Sequence, residues 1–265
     1  MSPSPEPRQP DSTTADGPQA DGLTQIESWF AARTWSPFGF QRECWDAYRA
    51  GRSGLLHAPT GTGKTLAAWL GPVSTIADER LAKKGNEPLR VVWITPLRAL
   101  AGDTVKSLLE PAEQMGLPIS VELRTGDTSS SIKSRQRKRM PTALVTTPES
   151  LTILLSYLDS PRLFETLDAV IVDEWHELMG TKRGVQTELA LARLRQWRPG
   201  LRTWGVSATL GNTDQAASVL LGSSGPGVLV KGAEPRPVEL DTLIPTSVER
   251  YPWAGHLGTQ LVDRV

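Results

Sequence analysis

The sequence predicts an α/β fold in which a parallel sheet is covered by helices on both faces. Short apolar runs alternate with longer segments that have the spacing of helices. The runs also lack the polar alternation of a strand with one solvated face, which indicates burial on both sides. They are Leu55-Leu56, Val91 to Ile94, Ala143 to Val145, Ala169 to Val172 and Trp204 to Val206. Ligands of such sheets bind at the carboxyl ends of the strands.

The composition is that of a globular protein in a reducing compartment. The 265 residues are 38% apolar, which is enough for one large core. Lys and Arg number 29 and Asp and Glu also 29, so any attraction to nucleic acid must come from a local patch. The single Cys44 excludes an internal disulfide and a cysteine-based zinc site. No apolar run has the length of a membrane span and no secretion signal is recognisable, so we expect a cytoplasmic protein without a membrane partner.

The first 22 residues are predicted to form a disordered leader. They contain one large apolar residue, Met1, and five prolines, and so cannot offset the entropy cost of ordering. Thr24, followed three positions later by Glu27, has the pattern of a capping box that opens a short helix. We therefore expect the folded part to begin near Leu23.

Residues 58–65, here called the phosphate loop, have the sequence Ala-Pro-Thr-Gly-Thr-Gly-Lys-Thr between an apolar run and a helix. Gly61 and Gly63 allow the backbone amides to surround an anion, Lys64 reaches the terminal phosphates, and the Thr65 hydroxyl ligates Mg²⁺. The alternative is a glycine-rich turn before an ordinary helix, which the Gly-Lys-Thr triplet disfavours. The predicted nucleotide-binding residues of the loop are Thr60, Gly61, Thr62, Gly63, Lys64 and Thr65.

Asp173 and Glu174, here called the acid pair, follow the apolar run Ala169 to Val172. A lone pair of this kind at a strand end is usually solvated. Together with a phosphate loop it is typical of a site in which Asp173 positions Mg²⁺ and Glu174 deprotonates the attacking water. The predicted catalytic residues are Lys64, Asp173, Glu174 and His176.

These motifs together resemble those of superfamily 2 helicases. The phosphate loop, the segment Asp-Glu-Trp-His at 173–176 and Ser207-Ala208-Thr209 are similar to motifs I, II and III. Four further segments resemble the large helicase-related (Lhr) family, in its ligase-associated branch: WSPFGFQ at 35–41, TPLRALAGD at 95–103, RTGDTSSS at 124–131 and TTPESL at 146–151.

The resemblance implies a RecA-like P-loop NTPase domain over residues 23–232. It further implies ATP and Mg²⁺ as cofactors, 3′-to-5′ movement on single-stranded or tailed DNA, a second RecA-like domain in cis, and DNA-repair partners such as a ligase. Residues 233–265 would then be a linker and the truncated start of the second domain. The arginine-bearing motifs of that domain are not recognisable, so we expect very weak activity from this chain alone.

Gln41 is a candidate for adenine recognition. A primary amide offers one donor and one acceptor at the spacing of the N6 and N7 edge of adenine. Phe38 and Phe40 beside it either stack on the base or fill the core.

Two Thr-Pro pairs, Thr95-Pro96 and Thr147-Pro148, each follow an apolar run. Each pair suits an N-cap followed by the first residue of a helix. Exposed amides at such termini bind phosphates without reading bases, although plain capping explains an isolated case. The match to family motifs favours strand contact, and the resemblance adds Arg98, Thr125, Gly126, Asp127 and Glu149 to the predicted surface.

Three features beside these motifs have two interpretations each. The five cations between Lys133 and Arg139 are either an auxiliary phosphate contact or a solvated helix face. His176 either couples the nucleotide site to Ser207 or Thr209, or is an ordinary hydrogen-bonded histidine. Most of the nine tryptophans read as core, with Trp175 as the expected exception beside the cleft.

The sequence thus predicts the ATP-binding motor domain of a DNA helicase. An RNA helicase remains an alternative because phosphate contacts do not distinguish sugars. The other is an ATP-gated clamp that binds nucleic acid without unwinding it, since the partner domain is not recognisable.

Overall fold

A computed structural model describes residues 21–82, 88–222 and 225–232. The predicted leader, apart from its last two positions, lies outside these ranges. The predicted linker and second domain at 233–265 also lie outside them. The boundaries of these segments therefore stay predictions.

The described residues form a seven-stranded sheet in which every strand pair is parallel, in the order β3-β4-β2-β5-β6-β1-β7. The predicted α/β fold class is confirmed, and all five predicted runs are strands. The strand bounds are β1 Gly54–His57, β2 Val91–Ile94, β3 Val121–Arg124, β4 Ala143–Thr146, β5 Ala169–Val172, β6 Arg202–Ser207 and β7 Val228–Lys231.

Ten helices connect and cover the strands within the described ranges. None of them is long and apolar enough to cross a membrane. Their bounds are α1 Gly22–Ala31, α2 Gly39–Arg49, α3 Lys64–Ala82, α4 Arg98–Gln114, α5 Ser130–Lys138, α6 Pro148–Leu155, α7 Ser160–Leu163, α8 Trp175–Leu178, α9 Lys182–Trp197 and α10 Thr213–Leu221.

The core lies in two layers, one on each face of the sheet. Neighbouring residues of one strand belong to different layers: Leu56 packs with α1 to α4 whereas Leu55 packs with α6, α9 and α10. Val91 and Val92 divide in the same way. Burial of both faces explains why these strands are continuously apolar.

The start of α1 differs from the expected one. The helix begins at Gly22, and the carboxylate of Asp21 caps it by accepting a hydrogen bond from the Thr24 amide at 2.8 Å. The predicted capping box at Thr24 is therefore wrong. The reason is tertiary, because the Gly22 amide donates to Asp78 Oδ1 at 2.6 Å and a Cβ at position 22 would stand 2.1 Å from the Ser74 carbonyl oxygen.

Candidate functional site

The phosphate loop joins the end of β1 to the first turn of α3. Gly61 and Gly63 have φ angles of 79° and 84°, a region that side chains with a Cβ rarely adopt. The Thr62 hydroxyl donates to the Pro59 carbonyl at 2.7 Å and closes the loop on itself. Thr60 and Gly61 are exposed at its tip, and Thr65 lies half-buried in the first turn of α3. The loop thus has the open curve that an anion requires.

Lys64, the first residue of α3, supplies a positive charge at this loop. Its Nζ is buried and has no hydrogen-bond partner among the described residues. Burial lowers the pKa of the ammonium, and attraction to Glu174 and Asp173 opposes this shift. A buried cation without a hydrogen-bond acceptor is costly. The orphaned Nζ below a curved backbone therefore fits the phosphates of a nucleotide.

The acid pair follows β5 at the same edge of the sheet. The Asp173 amide donates to the Ile94 carbonyl at 2.8 Å. Its carboxylate accepts from the Glu174 amide at 3.0 Å on Oδ1 and from Trp93 Nε1 at 3.3 Å on Oδ2. Burial, followed by repulsion from Glu174, raises the pKa of Asp173 to about 6. A dication bound at this carboxylate would relieve both causes, so Asp173 fits a Mg²⁺ ligand.

Glu174 has an unusual backbone, with φ 43° and ψ 49° in the left-handed region. Glu174 in this conformation is the N-cap of α8, so the chain turns from β5 into a helix within two residues. Glu174 Oε2 is buried and lacks a hydrogen-bond partner in the described part of the chain. It lies 3.4 Å from His176 Nδ1. An acceptor without a donor is suited to receive a proton from water.

Asp173→Asn should change stability in opposite directions at low and high pH. An ionised Asp173 destabilises the folded chain, because its folded pKa of about 6 lies above the ordinary 3.8. Well below pH 3.8 the carboxyl is protonated in both the folded and the unfolded state, and the stability that its neutral form gives is lost as the pH rises through 6. The shift corresponds to about 3 kcal/mol, and the asparagine NH₂, which faces a donor, returns roughly 1–2 kcal/mol of that.

Without nucleotide, we therefore expect Asp173→Asn to be more stable than the wild type by about 1–2 kcal/mol at pH 8 and less stable at pH 4. Urea unfolding at both pH values measures the difference. Asp103→Asn, at an exposed position of α4, is the control and should show little pH dependence. A constant difference for Asp173→Asn would contradict the raised pKa.

His176 lies between the acid pair and the end of β6. Its Nδ1 is 3.0 Å from the Ser207 hydroxyl and its Nε2 is 3.3 Å from Glu177 Oε1. Of the two predicted coupling residues, the structure brings Ser207 to His176, whereas Thr209 lies exposed in the loop after β6. The role of this contact in coupling stays a prediction.

Trp175 does not line the cleft. The prediction that it lies beside the cleft, unlike most of the tryptophans, is therefore wrong. Its side chain is 0% exposed, and its Nε1 donates to the Ala216 carbonyl at 3.0 Å. The left-handed backbone at Glu174 is followed directly by the short helix α8, which places the indole beneath α10. Trp175 is therefore a core residue.

Gln41 joins α2 to the phosphate loop. Its Oε1 accepts from the Phe38 amide at 2.9 Å, and its Nε2 donates to the Gly63 carbonyl at 3.1 Å. The amide keeps one N–H and one acceptor lone pair, so adenine recognition stays a prediction. Of the two neighbouring rings, which stack with centroids 5.8 Å apart, Phe40 is buried in the core and Phe38 is exposed.

The two Thr-Pro pairs differ in how they relate to the helix that follows each of them. Thr147 is the N-cap of α6, where its hydroxyl accepts from the Ser150 amide at 3.4 Å, and Pro148 is the first helical residue, as predicted. The same prediction for Thr95-Pro96 is wrong, because α4 begins at Arg98 with Leu97 as its N-cap. The Thr95 amide instead donates to the Thr146 carbonyl at 2.9 Å and continues the sheet ladder.

The loop Thr125-Gly126-Asp127 meets two cations. Lys133 Nζ donates to the Gly126 carbonyl at 2.9 Å, and a Cβ at position 126 would stand 3.5 Å from Arg98 Nη1. Thr125 is buried, whereas Gly126 and Asp127 are exposed. The structure thus brings Arg98 to this loop, as the strand-contact prediction requires.

The five cations between Lys133 and Arg139, here called the basic run, have different partners in the structure. Arg135 pairs with Glu122 at 2.8 Å, and Arg137 pairs with Asp159 at 2.8 Å. Lys138 and Arg139 are exposed at the far end of α5. Only Lys133 reaches the loop beside Arg98, so the run as a whole is not one phosphate-facing stripe.

Arg183 is a residue that the sequence analysis missed. Its guanidinium holds both Glu149 oxygens, through Nε at 2.6 Å and Nη2 at 3.3 Å, and Nη1 donates to the Pro96 carbonyl at 2.5 Å. Burial acts to raise the pKa of Glu149, but the hydrogen bond and charge of Arg183, together with hydrogen bonds from the Glu149 amide and the Thr147 hydroxyl, outweigh it and the pKa is lowered. The available signal was a cation in the first turn of a helix, where the helix dipole disfavours it.

Comparison with known proteins gives consistent results. The profile of the DEAD/DEAH box helicase family matches residues 38–217. The chain is 35% identical over 229 residues to the Lhr helicase/probable uracil glycosylase of Mycolicibacterium smegmatis, covering 82% of this chain and 15% of that protein. It is 37% identical over 211 residues to the ATP-dependent helicase Lhr-Core of Methanothermobacter thermautotrophicus, covering 75% of this chain and 24% of the relative.

Solved structures show the same relation. The Mycobacterium smegmatis helicase Lhr bound to ssDNA and AMP-PNP has a TM-score of 0.71 and 34% identity, covering 81% of this chain and 28% of that one. The DEAD-box helicase Mss116 bound to ssRNA and UDP-BeF has a TM-score of 0.65 at 18% identity, which shows a shared RecA-like fold alone. The chain spans between 15% and 28% of the length of the Lhr relatives compared.

Proposed function

Because this chain belongs to the DEAD/DEAH box helicase family and contains an ATP-dependent helicase motor domain of the Lhr type, we propose that it hydrolyses Mg²⁺-ATP while it holds a DNA strand. The observation that carries the proposal is the buried Lys64 Nζ at the phosphate loop, which has no hydrogen-bond partner in the part of the chain that the structure describes and is attracted by two carboxylates. A merely structural lysine at this depth would have an acceptor.

Each residue of the proposed site has its own part. Lys64 and the amides of the phosphate loop bind the β- and γ-phosphates. Thr65 and Asp173 would hold Mg²⁺, which when bound would neutralise charge that develops on the phosphate oxygens. Glu174 accepts the proton of the attacking water, and its position beside His176 extends the site to Ser207. Gln41 offers its remaining N–H and lone pair to adenine.

The proposed strand surface consists of the starts of α4 and α6 together with Arg98 and the loop Thr125-Gly126-Asp127. All of these lie where β2, β3 and β4 end, at one edge of the sheet. Helix amides and Arg98 contact phosphates without reading bases, which suits movement along a strand. DNA is favoured over RNA because a relative at 34% identity is bound to ssDNA.

The rest of the mechanism is proposed from the resemblance. A second RecA-like domain in cis would complete the strand track and the hydrolytic site, and residues 233–265 would lead into it. Movement would be 3′-to-5′, with DNA-repair partners such as a ligase. The 265-residue chain alone would turn over ATP slowly and unwind no duplex, because stepping requires two domains that close and open.

Lys64→Ala should lower the affinity for Mg²⁺-ATP by about ten- to a hundredfold, because it removes a charge-assisted hydrogen bond of roughly 1.5–3 kcal/mol. Titration of a fluorescent ATP analogue measures this affinity. On the same preparation, fluorescence anisotropy of labelled single-stranded DNA measures strand binding, and a strand-displacement assay measures unwinding.

Lys106→Ala is a matched control, because Lys106 is an exposed lysine on α4 that pairs with Asp103. It should bind the analogue as the wild type does. Equal ATP affinity of Lys64→Ala and the wild type would refute the phosphate loop as the nucleotide site. Strand displacement by this chain would refute the requirement for a second domain.

A further inference from the structure

Arg183 connects two parts of the proposed strand surface that are distant in sequence. Through Glu149 it holds the first turn of α6, and through the Pro96 carbonyl it holds the turn that precedes α4. Its three nitrogens are all engaged, two on the carboxylate and one on the carbonyl. A planar guanidinium can hold a carboxylate and a third acceptor at once, which an ammonium cannot do with the same fixed geometry.

The position of Arg183 in its helix is unfavourable by itself. It is the second residue of α9, after the N-cap Thr181 and Lys182, where the helix dipole repels a cation. Pairing with Glu149 offsets this cost. The acidic residue in turn lies in the first turn of α6, where a carboxylate is favourable. Arg183 thus connects the starts of three helices, α9, α6 and α4.

The first turn of α9 is itself held firmly. The Thr181 hydroxyl donates to the Leu178 carbonyl at 2.7 Å. A Cβ at Gly184 would stand 2.2 Å from the same carbonyl oxygen, so only glycine permits this approach. Leu178 ends α8, which directly follows the acid pair. Arg183 therefore projects from a turn that is hydrogen-bonded to the end of α8, the helix that follows the acid pair.

We propose that Arg183 is a positioning residue for nucleic-acid binding, which locks the start of α4 to the start of α6 so that both present their amides to consecutive phosphates. This inference rests on the proposed function. It also changes the part of Glu149, whose carboxylate holds Arg183 and would repel a phosphate if it faced one. In this proposal Arg183 acts through Glu149 and the Pro96 carbonyl, which take three of its five N–H donors, and not through contact with the strand.

The test is a salt titration of single-stranded DNA binding by fluorescence anisotropy. We expect Arg183→Ala and Glu149→Gln each to weaken binding by about tenfold at fixed salt, which is the effect of losing one charged hydrogen-bonded contact. Because neither residue touches phosphate, the slope of log affinity against log salt should stay that of the wild type. The double variant should be no weaker than the weaker single variant, since both changes remove one lock.

Three further measurements make the result specific. Lys182→Ala removes the adjacent exposed cation and should bind DNA as the wild type does. Arg183→Lys keeps the charge and one contact, and should recover part of the affinity. Thermal melting identifies any variant that fails to fold, in which case Glu149→Gln and Arg183→Lys decide the question.

Two results would overturn the inference. If Arg183 touched the strand directly, Arg183→Ala would lower the salt slope by about 0.7, the share of one phosphate, and Glu149→Gln would strengthen binding by freeing the guanidinium. If Arg183→Ala bound DNA as the wild type does, the lock would have no part in binding. Absence of DNA binding by the wild-type chain would instead contradict the proposed function, which separates the two failures.

Discussion

Glu174→Gln is expected to retain ATP and to lower its hydrolysis by about 10²- to 10⁴-fold, the usual contribution of a general base. Glutamine has nearly the shape of glutamate, so the left-handed turn at 174 and the neighbouring contacts are preserved. Its amide can hold a water molecule but cannot accept the proton. The effect should fall on turnover because the buried Glu174 Oε2, which has no hydrogen-bond partner within the described ranges, is available for that proton.

Phosphate release and titration of a fluorescent ATP analogue measure the two quantities separately. Glu177→Gln is the matched control, because this exposed carboxylate contacts the other nitrogen of His176 at 3.3 Å. It should reduce turnover far less than Glu174→Gln does. Loss of binding and of turnover by the same factor in Glu174→Gln would contradict the assignment of a general base. The measurements belong in a chain that includes both proposed motor domains, where turnover is large enough to lose.

Trp175→Ala is expected to destabilise the folded chain by about 3–5 kcal/mol, which is the range for removing a large buried aromatic side chain. The indole, on the first residue of α8, is fully buried, and its N–H donates to the Ala216 carbonyl of α10. Trp175→Phe should lose less stability, because it keeps most of the apolar volume. Its remaining cost is the Trp175 donor that the buried carbonyl loses, at about 1–3 kcal/mol.

Urea unfolding monitored by circular dichroism measures both variants. Trp35→Ala is the control, because the Trp35 side chain is 54% exposed and should cost under about 1 kcal/mol. If Trp175→Ala were as stable as Trp35→Ala, the indole would not pack in the core. Such a result would restore the expectation that Trp175 acts at the cleft.

The sequence alone determined the features that depend on neighbouring residues. Strand and helix alternation is a local pattern. It predicted five strands and their parallel arrangement, and all five are observed. The phosphate loop and the acid pair are also local, because each requires particular backbone angles and side chains within a few positions. Gly61 and Gly63 adopt the positive φ angles that the loop requires. The cap at Thr147 was predictable for the same reason, since donor and acceptor lie three residues apart.

Only the tertiary structure decided the features that depend on groups distant in the chain. Thr95 has the local pattern of a cap, but a ladder hydrogen bond to Thr146 keeps it extended and delays α4 to Arg98. Arg183 meets Glu149, which is 34 positions away, through the packing of α9 on α6. Gln41 Nε2 donates to the Gly63 carbonyl, and the Trp175 indole donates to the Ala216 carbonyl of α10. Such contacts follow from strand order and helix packing, and no pattern among adjacent residues encodes them because their energy is gained only when the layers assemble.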